Sequence, residues 1–275
     1  MNDIDIIDCH AHIIDPQRFP YADGPGYRPL PHETGTREAF GAVLDANDVR
    51  HVLLVQPSGY GIDNRAMLDA VMRSPRRYKA IAVVAPDITD AALSALGSLG
   101  VVGVRFNLVS YDRDALAKAA AVGLLDRLKT AGMFAQIYAH DEQWPVVAPT
   151  LKRHGVNVLV DHFGVRDIGA GTTAPGFQAV LDLGRQGNAA VKLSAPFRLA
   201  KPPQGYAGLD PFAQALLAAF GVERCVWGSD WPFLAVDDRI EYAGLPATLA
   251  RWLPDPADRR RVLWANPVRL FGFGA

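Results

Sequence analysis

Residues 8–15 read Asp8-Cys9-His10-Ala11-His12-Ile13-Ile14-Asp15, directly after an apolar run at the start of the chain. Two histidines two positions apart on a β-strand share a face. Each imidazole carries a ring N–H and a lone pair that need partners, so such a pair is poor core filler. At the C-terminal end of a strand it is well placed to bind a metal or to polarise an oxygen. The spacing alone is weak evidence. It gains force from Asp161-His162-Phe163-Gly164 and Trp227-Gly228-Ser229-Asp230-Trp231-Pro232, each of which follows its own apolar run. A strand-end carboxylate, Asp230, can take a proton from water. His162, with His10 or His12, can donate to a developing oxyanion. Arg105 and Arg198 are candidate carboxylate binders, because a guanidinium pairs with a carboxylate through two parallel N–H donors. Ser58 and Tyr138 offer hydroxyls at the same level, and Tyr27 can close from above.

These residues need a scaffold that brings strand ends together. Eight short apolar, β-branched runs recur at 4–9, 52–56, 80–84, 101–106, 134–138, 156–160, 190–193 and 225–228. Their continuous apolarity suits strands buried on both faces. Helical patterns lie between them at 36–46, 64–73, 114–131, 144–153, 177–186 and 211–220, with 242–252 and 256–265 closing the chain. The connection at 91–97 reads as short. This alternation predicts a single (β/α)₈ TIM barrel over residues 1–275, whose site sits at the C-terminal strand ends. Loop 1 (15–35), rich in proline and glycine, is a candidate lid, and loop 7 (194–210) is a second wall. Asp8 and Asp161 are expected to face away from the histidines as supports. Lys192 reads as structural, His140 as a neighbour of the site, and Trp227 and Trp231 as site walls. His32, His51 and His154 lack strand-end partners.

The chain has 275 residues, 49% of them hydrophobic, and a formal net charge of −1, enough for one large domain with a full core. It shows no basic footprint of a nucleic-acid binder and no apolar stretch of about 18 residues. The acidic N-terminus enters a strand at once, unlike a signal peptide. Two cysteines, Cys9 and Cys225, read as buried thiols of a cytoplasmic protein rather than a disulfide. Nothing in the sequence speaks to oligomeric state.

The ordered set of strand ends resembles the amidohydrolase superfamily, and within it the lactonase branch around 2-pyrone-4,6-dicarboxylate lactonase. The segments DCHAHIID, LLVQPSGYGIDN, GVRFNL, DHFG, VKLSAPFR and WGSDWP carry the resemblance over nearly the whole chain. It implies a hydrolase that opens a small carboxylate-bearing lactone, of pyrone dicarboxylate or muconolactone type, with no cofactor required. Metal-bridging members carry a modified lysine or a glutamate on strand 4 and a histidine on strand 5. Arg105 and Tyr138 stand at those positions here, so a two-metal centre is not expected. A single zinc on His10, His12, His162 and Asp230 is the alternative, in a mononuclear hydrolase or decarboxylase. A non-catalytic small-anion-binding barrel is the alternative of another class. The dicarboxylate pattern also has a basic residue shortly after GVRFN. Leu108-Val109-Ser110-Tyr111 stands there, which predicts a substrate with fewer or differently placed carboxylates.

Overall fold

A computed structural model describes residues 5–200, 205–237 and 240–274. Eight parallel strands follow one another in spatial order. They are β1 (Ile6–Ala11), β2 (Val49–Val55), β3 (Tyr78–Ala82), β4 (Val101–Asn107), β5 (Phe134–Tyr138), β6 (Asn157–Val160), β7 (Ala189–Lys192) and β8 (Cys225–Val226). The helices are α1 (Arg37–Ala46), α2 (Arg65–Arg73), α3 (Asp90–Ser98), α4 (Ala115–Ala121), α5 (Leu124–Thr130), α6 (Trp144–His154), α7 (Pro175–Gln186), α8 (Asp210–Phe220), α9 (Pro256–Arg260) and α10 (Asn266–Phe271). This is the (β/α)₈ barrel that the alternation predicts. Among the described residues no helix is long and apolar enough to cross a membrane.

The strands bury both faces. Ile7, Cys9, Leu53, Val55, Ile81, Phe134, Leu159, Ala190 and Val226 fill the barrel's lower interior, closed by Phe271 and Phe273. Their alternating neighbours, among them Val52, Leu54, Val104, Ile137, Val158 and Val191, join the larger cluster under the helices. Above the apolar floor the interior turns polar: His10, Arg105, Gln136, Asp161 and Lys192 are all buried.

Several elements depart from expectation. The 114–131 pattern breaks into α4 and α5 at Gly123, whose φ of 72° no other residue type adopts as readily. The 91–97 connection is part of a full helix, α3, whose first turn is capped by the Thr89 hydroxyl accepting from Ala92 N. Residues 242–251 form short 3₁₀ turns. Cys9 belongs to the inner cluster and Cys225 to the outer one; both thiols are free.

The pairing of β1 with β2 shifts register between Asp8 and Ala11. Plain alternation would put Asp8 on the face of His10. The extra residue lets both Cys9 and His10 point inward, and Asp8 points out, as expected of a support. There it closes the barrel. Its Oδ1 accepts from Ser229 N at 2.9 Å and His10 N at 3.0 Å. Its Oδ2 accepts from Ser229 Oγ at 2.5 Å and Tyr242 Oη at 2.9 Å. Backbone bonds complete the seam: Cys9 N to Trp227 O (2.9 Å), Asp230 N to His10 O (2.7 Å) and His12 N to Trp231 O (2.8 Å). Gly228 permits this approach, since a Cβ there would lie 2.7 Å from His10 N.

Asp8→Asn replaces an acceptor of two O–H donors with an amide donor. Hydrogen bonds to a charged group contribute about 1.5–3 kcal/mol each, so a loss of about 2 kcal/mol is expected. Denaturant unfolding should show a lower midpoint with an unchanged slope. An unchanged midpoint would show that the seam does not depend on this carboxylate.

Candidate active site

A cavity of about 360 Å³ opens at the C-terminal end of the strands. Of the nine residues expected there, eight line it: His12, Tyr27, Ser58, Arg105, Tyr138, His162, Arg198 and Asp230. His10 lies just beneath, fully buried.

Asp230 is the centre of the arrangement. Its φ of 64° ends β8 in a sharp turn that brings the carboxylate back towards β1. Oδ1 lies 3.3 Å from His12 Nε2, 3.7 Å from His10 Nε2 and 3.9 Å from His162 Nε2. Oδ2 accepts from Arg198 Nε. Burial opposes ionisation, but Arg198 and the surrounding imidazoles outweigh it and hold the carboxyl well below the usual range. His12 Nδ1 donates to Val55 O at 2.7 Å. Its Nε2 therefore faces Asp230, and a proton or a cation must lie between the two. His162 Nδ1 and Ser194 Oγ are 2.9 Å apart. Burial lowers the His162 pKa to about 4, keeping the ring neutral near pH 7.

Asp161 faces inward, against expectation. It continues the alternation of Leu159, and the left-handed φ of 44° at His162 lets both side chains share the interior. Asp161 Oδ1 lies 3.0 Å from Lys192 Nζ, and Oδ2 lies 3.6 Å from Arg105 Nη2. Arg105 Nη1 also donates to Gln56 O at 2.9 Å. Arg105 is thus partly a structural ion-pair partner while it lines the cavity.

Ser58 and Tyr27 are tied to the walls. Ser58 Oγ accepts from Tyr27 N at 3.1 Å, and Tyr27 Oη donates to Glu33 at 2.7 Å. The buried Glu33 also accepts from Leu30 N at 2.6 Å and from Ala235 N. Loop 1 is further pinned at Gly26, where a Cβ would lie 2.0 Å from Ser58 O. It forms a wall bonded to the loops after β2 and β8. Loop 7 does form a wall, through Phe197, Arg198 and Leu199.

The remaining residues fall as follows. His140, expected as a neighbour of the site, does not line the cavity; its backbone N donates to Gln143 Oε1 at 2.6 Å in the next turn. Trp231 stacks on Phe40 at 4.3 Å, and Trp227 meets Tyr242 edge-on, so both serve the shell of α1 rather than the mouth. Arg166 is an unforeseen wall residue. It donates to Tyr138 Oη, and its guanidinium lies 5.2 Å from that ring's centroid. Asp141 fixes its backbone, accepting from Arg166 N at 3.0 Å and Asp167 N at 2.9 Å. The signal was an arginine four residues after the strand-end His162.

Two groups of side chains gather as a metal site would: His10 with His12 and Asp230, and His10 with Asp161 and His162. Both require His10. Its Nδ1 accepts from Lys192 Nζ at 3.0 Å, and a neutral imidazole then carries its proton on Nε2. Burial and Lys192 hold the His10 pKa well below 6.5, which keeps the ring neutral. Neither nitrogen is then free as a ligand, and the donor set does not fit a zinc ion in this form.

The amidohydrolase family pattern matches residues 7–273. The chain is 30% identical to 4-sulfomuconolactone hydrolase of Hydrogenophaga intermedia, over 96% of this chain and 88% of that one. It is 30% identical to 2-pyrone-4,6-dicarboxylate hydrolase of Comamonas testosteroni, over 96% and 89%. A crystal structure of a probable 2-pyrone-4,6-dicarboxylic acid hydrolase from Acinetobacter baumannii, with citric acid bound, superposes with a TM-score of 0.86 at 30% identity, over 99% and 100% of the two chains. The strand-end residues, the barrel that gathers them and these full-length similarities lead to one assignment: the chain belongs to the amidohydrolase family.

Proposed function

We propose that this chain, acting as a single barrel domain, is a hydrolase that opens a small, carboxylate-bearing lactone by direct attack of water. The observation that carries this reading is an ionised carboxylate, Asp230, set among three imidazoles at the base of a cavity walled by Arg105, Arg166 and Arg198. The relatives named for sulfomuconolactone and pyrone dicarboxylate hydrolysis support the lactone class.

Asp230 takes a proton from water as the water oxygen bonds to the lactone carbonyl carbon. The carbonyl oxygen gains negative charge; His162 can donate to it as a neutral ring, and His12, whose Nδ1 proton is on Val55 O, only when Nε2 is protonated as well. The ring C–O bond then breaks. Its oxygen takes the proton held by Asp230, leaving a hydroxy acid, or an enol and its keto tautomer where that oxygen sits on a double bond. The guanidiniums, with Tyr138 and Ser58, hold the substrate carboxylate, and Tyr27 bounds the cavity from loop 1. No step passes through a metal ion. Charged side chains in the wall are Arg105, Arg166, Arg198, Asp230 and Asp237. With neutral histidines their sum is +1, which suits a monoanion better than a dianion. Val109, Leu234 and Val236 supply an apolar stretch for the ring.

A panel of anionic and neutral lactones, assayed with and without chelator, tests the reading. Ring opening of anionic members that survives chelation is expected. Binding without turnover would make the protein a small-anion binder. Activity lost to chelator and restored by zinc would make it a mononuclear metal hydrolase.

Asp230→Asn keeps the size and removes the basicity, so kcat should fall by about 10²–10⁴-fold with binding largely retained. A near-normal kcat would transfer the role to His12 or His162.

Arg198→Met should raise KM for an anionic lactone by about tenfold or more, since a charge-assisted hydrogen bond contributes about 1.5–3 kcal/mol. A neutral analogue should lose much less. Equal losses for both would remove Arg198 from carboxylate binding.

A further inference from the structure

Lys192, at the end of β7, is fully buried beneath the cavity and touches no position that a substrate would occupy. An ammonium has three N–H donors and no acceptor. Three acceptors surround Nζ: Gln136 Oε1 at 2.8 Å, His10 Nδ1 at 3.0 Å and Asp161 Oδ1 at 3.0 Å. Gln136 is itself fixed, its Nε2 donating to Asp161 Oδ2 at 3.0 Å. Lys192 is therefore held from two sides, with one donor aimed at the imidazole.

The consequence falls on His10. A donor at Nδ1 needs the lone pair there, so the ring proton of neutral His10 resides on Nε2. The competing arrangement would have Nδ1–H donate to Asp161 Oδ1, but that separation is 3.3 Å, longer than the 3.0 Å from Lys192 Nζ to either atom. It would also set an N–H of Lys192 against an N–H of His10. Nε2 is buried, has no hydrogen-bond partner and faces Asp230 Oδ1 at 3.7 Å. We propose that Lys192 is a positioning residue that locks His10 in its Nε2–H tautomer, so that His10 presents a donor to Asp230 and offers no ligand atom to a metal ion. The significance for Asp230 rests on the proposed function; the tautomer and the metal exclusion do not.

Removing the ammonium reverses the arrangement. In Lys192→Met, His10 Nδ1 loses its donor and can protonate towards Asp161. Nε2 then turns a lone pair on Asp230 Oδ1, beside His12 Nε2, which completes a set of ligand atoms. Loss of a group that orients a ligand typically changes metal affinity or activity by about 10–100-fold. Here zinc affinity should rise by that amount and kcat should fall, with KM changed far less.

The test has two arms. The first uses the unmodified protein with ¹⁵N-labelled histidine, His10 being assigned by comparison with His10→Gln. A proton on Nε2 and a bare Nδ1 are expected; a proton on Nδ1 overturns the proposal even if Lys192→Met fails to fold. The second arm is calorimetric titration with zinc alone. A folded Lys192→Met should bind zinc 10–100-fold more tightly than the unmodified protein, and the gain should vanish in Lys192→Met/His10→Gln. Equal affinity with and without Lys192, or a gain that survives loss of His10, overturns the proposal. Neither arm uses a lactone. The predicted tautomer in a protein that opens no lactone would sink the functional reading alone, and the opposite tautomer in an active lactonase would sink this one alone.

Discussion

Closing the barrel between β8 and β1 is the constraint on which the mouth depends. β8 contributes two residues of regular strand, too few to hold a seam by ladder bonds alone. The Asp8 carboxylate takes over. It gathers donors from Ser229, His10 and Tyr242 and thereby sets the chain that leads into Asp230 beside the chain that carries His10 and His12. The register shift in β1 makes this possible, because it sends Asp8 to the outer face while the histidines stay inside. The same two segments build the seam and carry the candidate base and its imidazoles.

Above the apolar floor the interior carries Lys192, Asp161 and Arg105 almost without solvent contact. Such groups contribute little net stability, since desolvation cancels much of their attraction, yet removing one leaves a strongly unfavourable unpaired charge. Their partners are therefore interlocked: Gln136 spans Lys192 and Asp161, and Gln56 O and Asp161 share Arg105. The apolar cluster between strands and helices supplies the stability that this layer does not. The polar layer instead fixes orientation, which a site acting through preorganised donors requires.

The barrel was legible because buried parallel strands leave continuous apolar runs, and the strand-end histidines and Asp230 followed from where those runs stop. Three kinds of feature were not legible. The bulge at Cys9–His10 has no compositional mark, so the inward turn of both Cys9 and His10 contradicts simple alternation. Asp161 and His162 both face inward because His162 adopts a left-handed backbone, which a non-glycine residue does not advertise. Arg166 and Glu33 act through loops whose course depends on distant partners, Asp141 for one and Tyr27 with Ala235 for the other. Trp231 misled in the other direction: its neighbour Asp230 enters the mouth, while the indole itself packs on Phe40.

Under the proposed function, the pairing of Arg198 with Asp230 would make ligand capture a partner exchange. Arg198 already holds a carboxylate before any anion arrives, so an incoming carboxylate displaces a tethered counter-ion instead of assembling an ion pair from two hydrated ions. The charge set free by the exchange is the candidate base itself. Bulk electrolyte screens solvent-exposed charges over roughly 8 Å at physiological ionic strength but reaches partly buried pairs much less. Screening would bear little on either the old partnership or the new one, so the exchange itself would depend little on ionic strength. Among the described residues the exposed Arg166 at the rim has no such tethered carboxylate. Salt sensitivity would then fall on the contact with Arg166 rather than on the exchange beneath it.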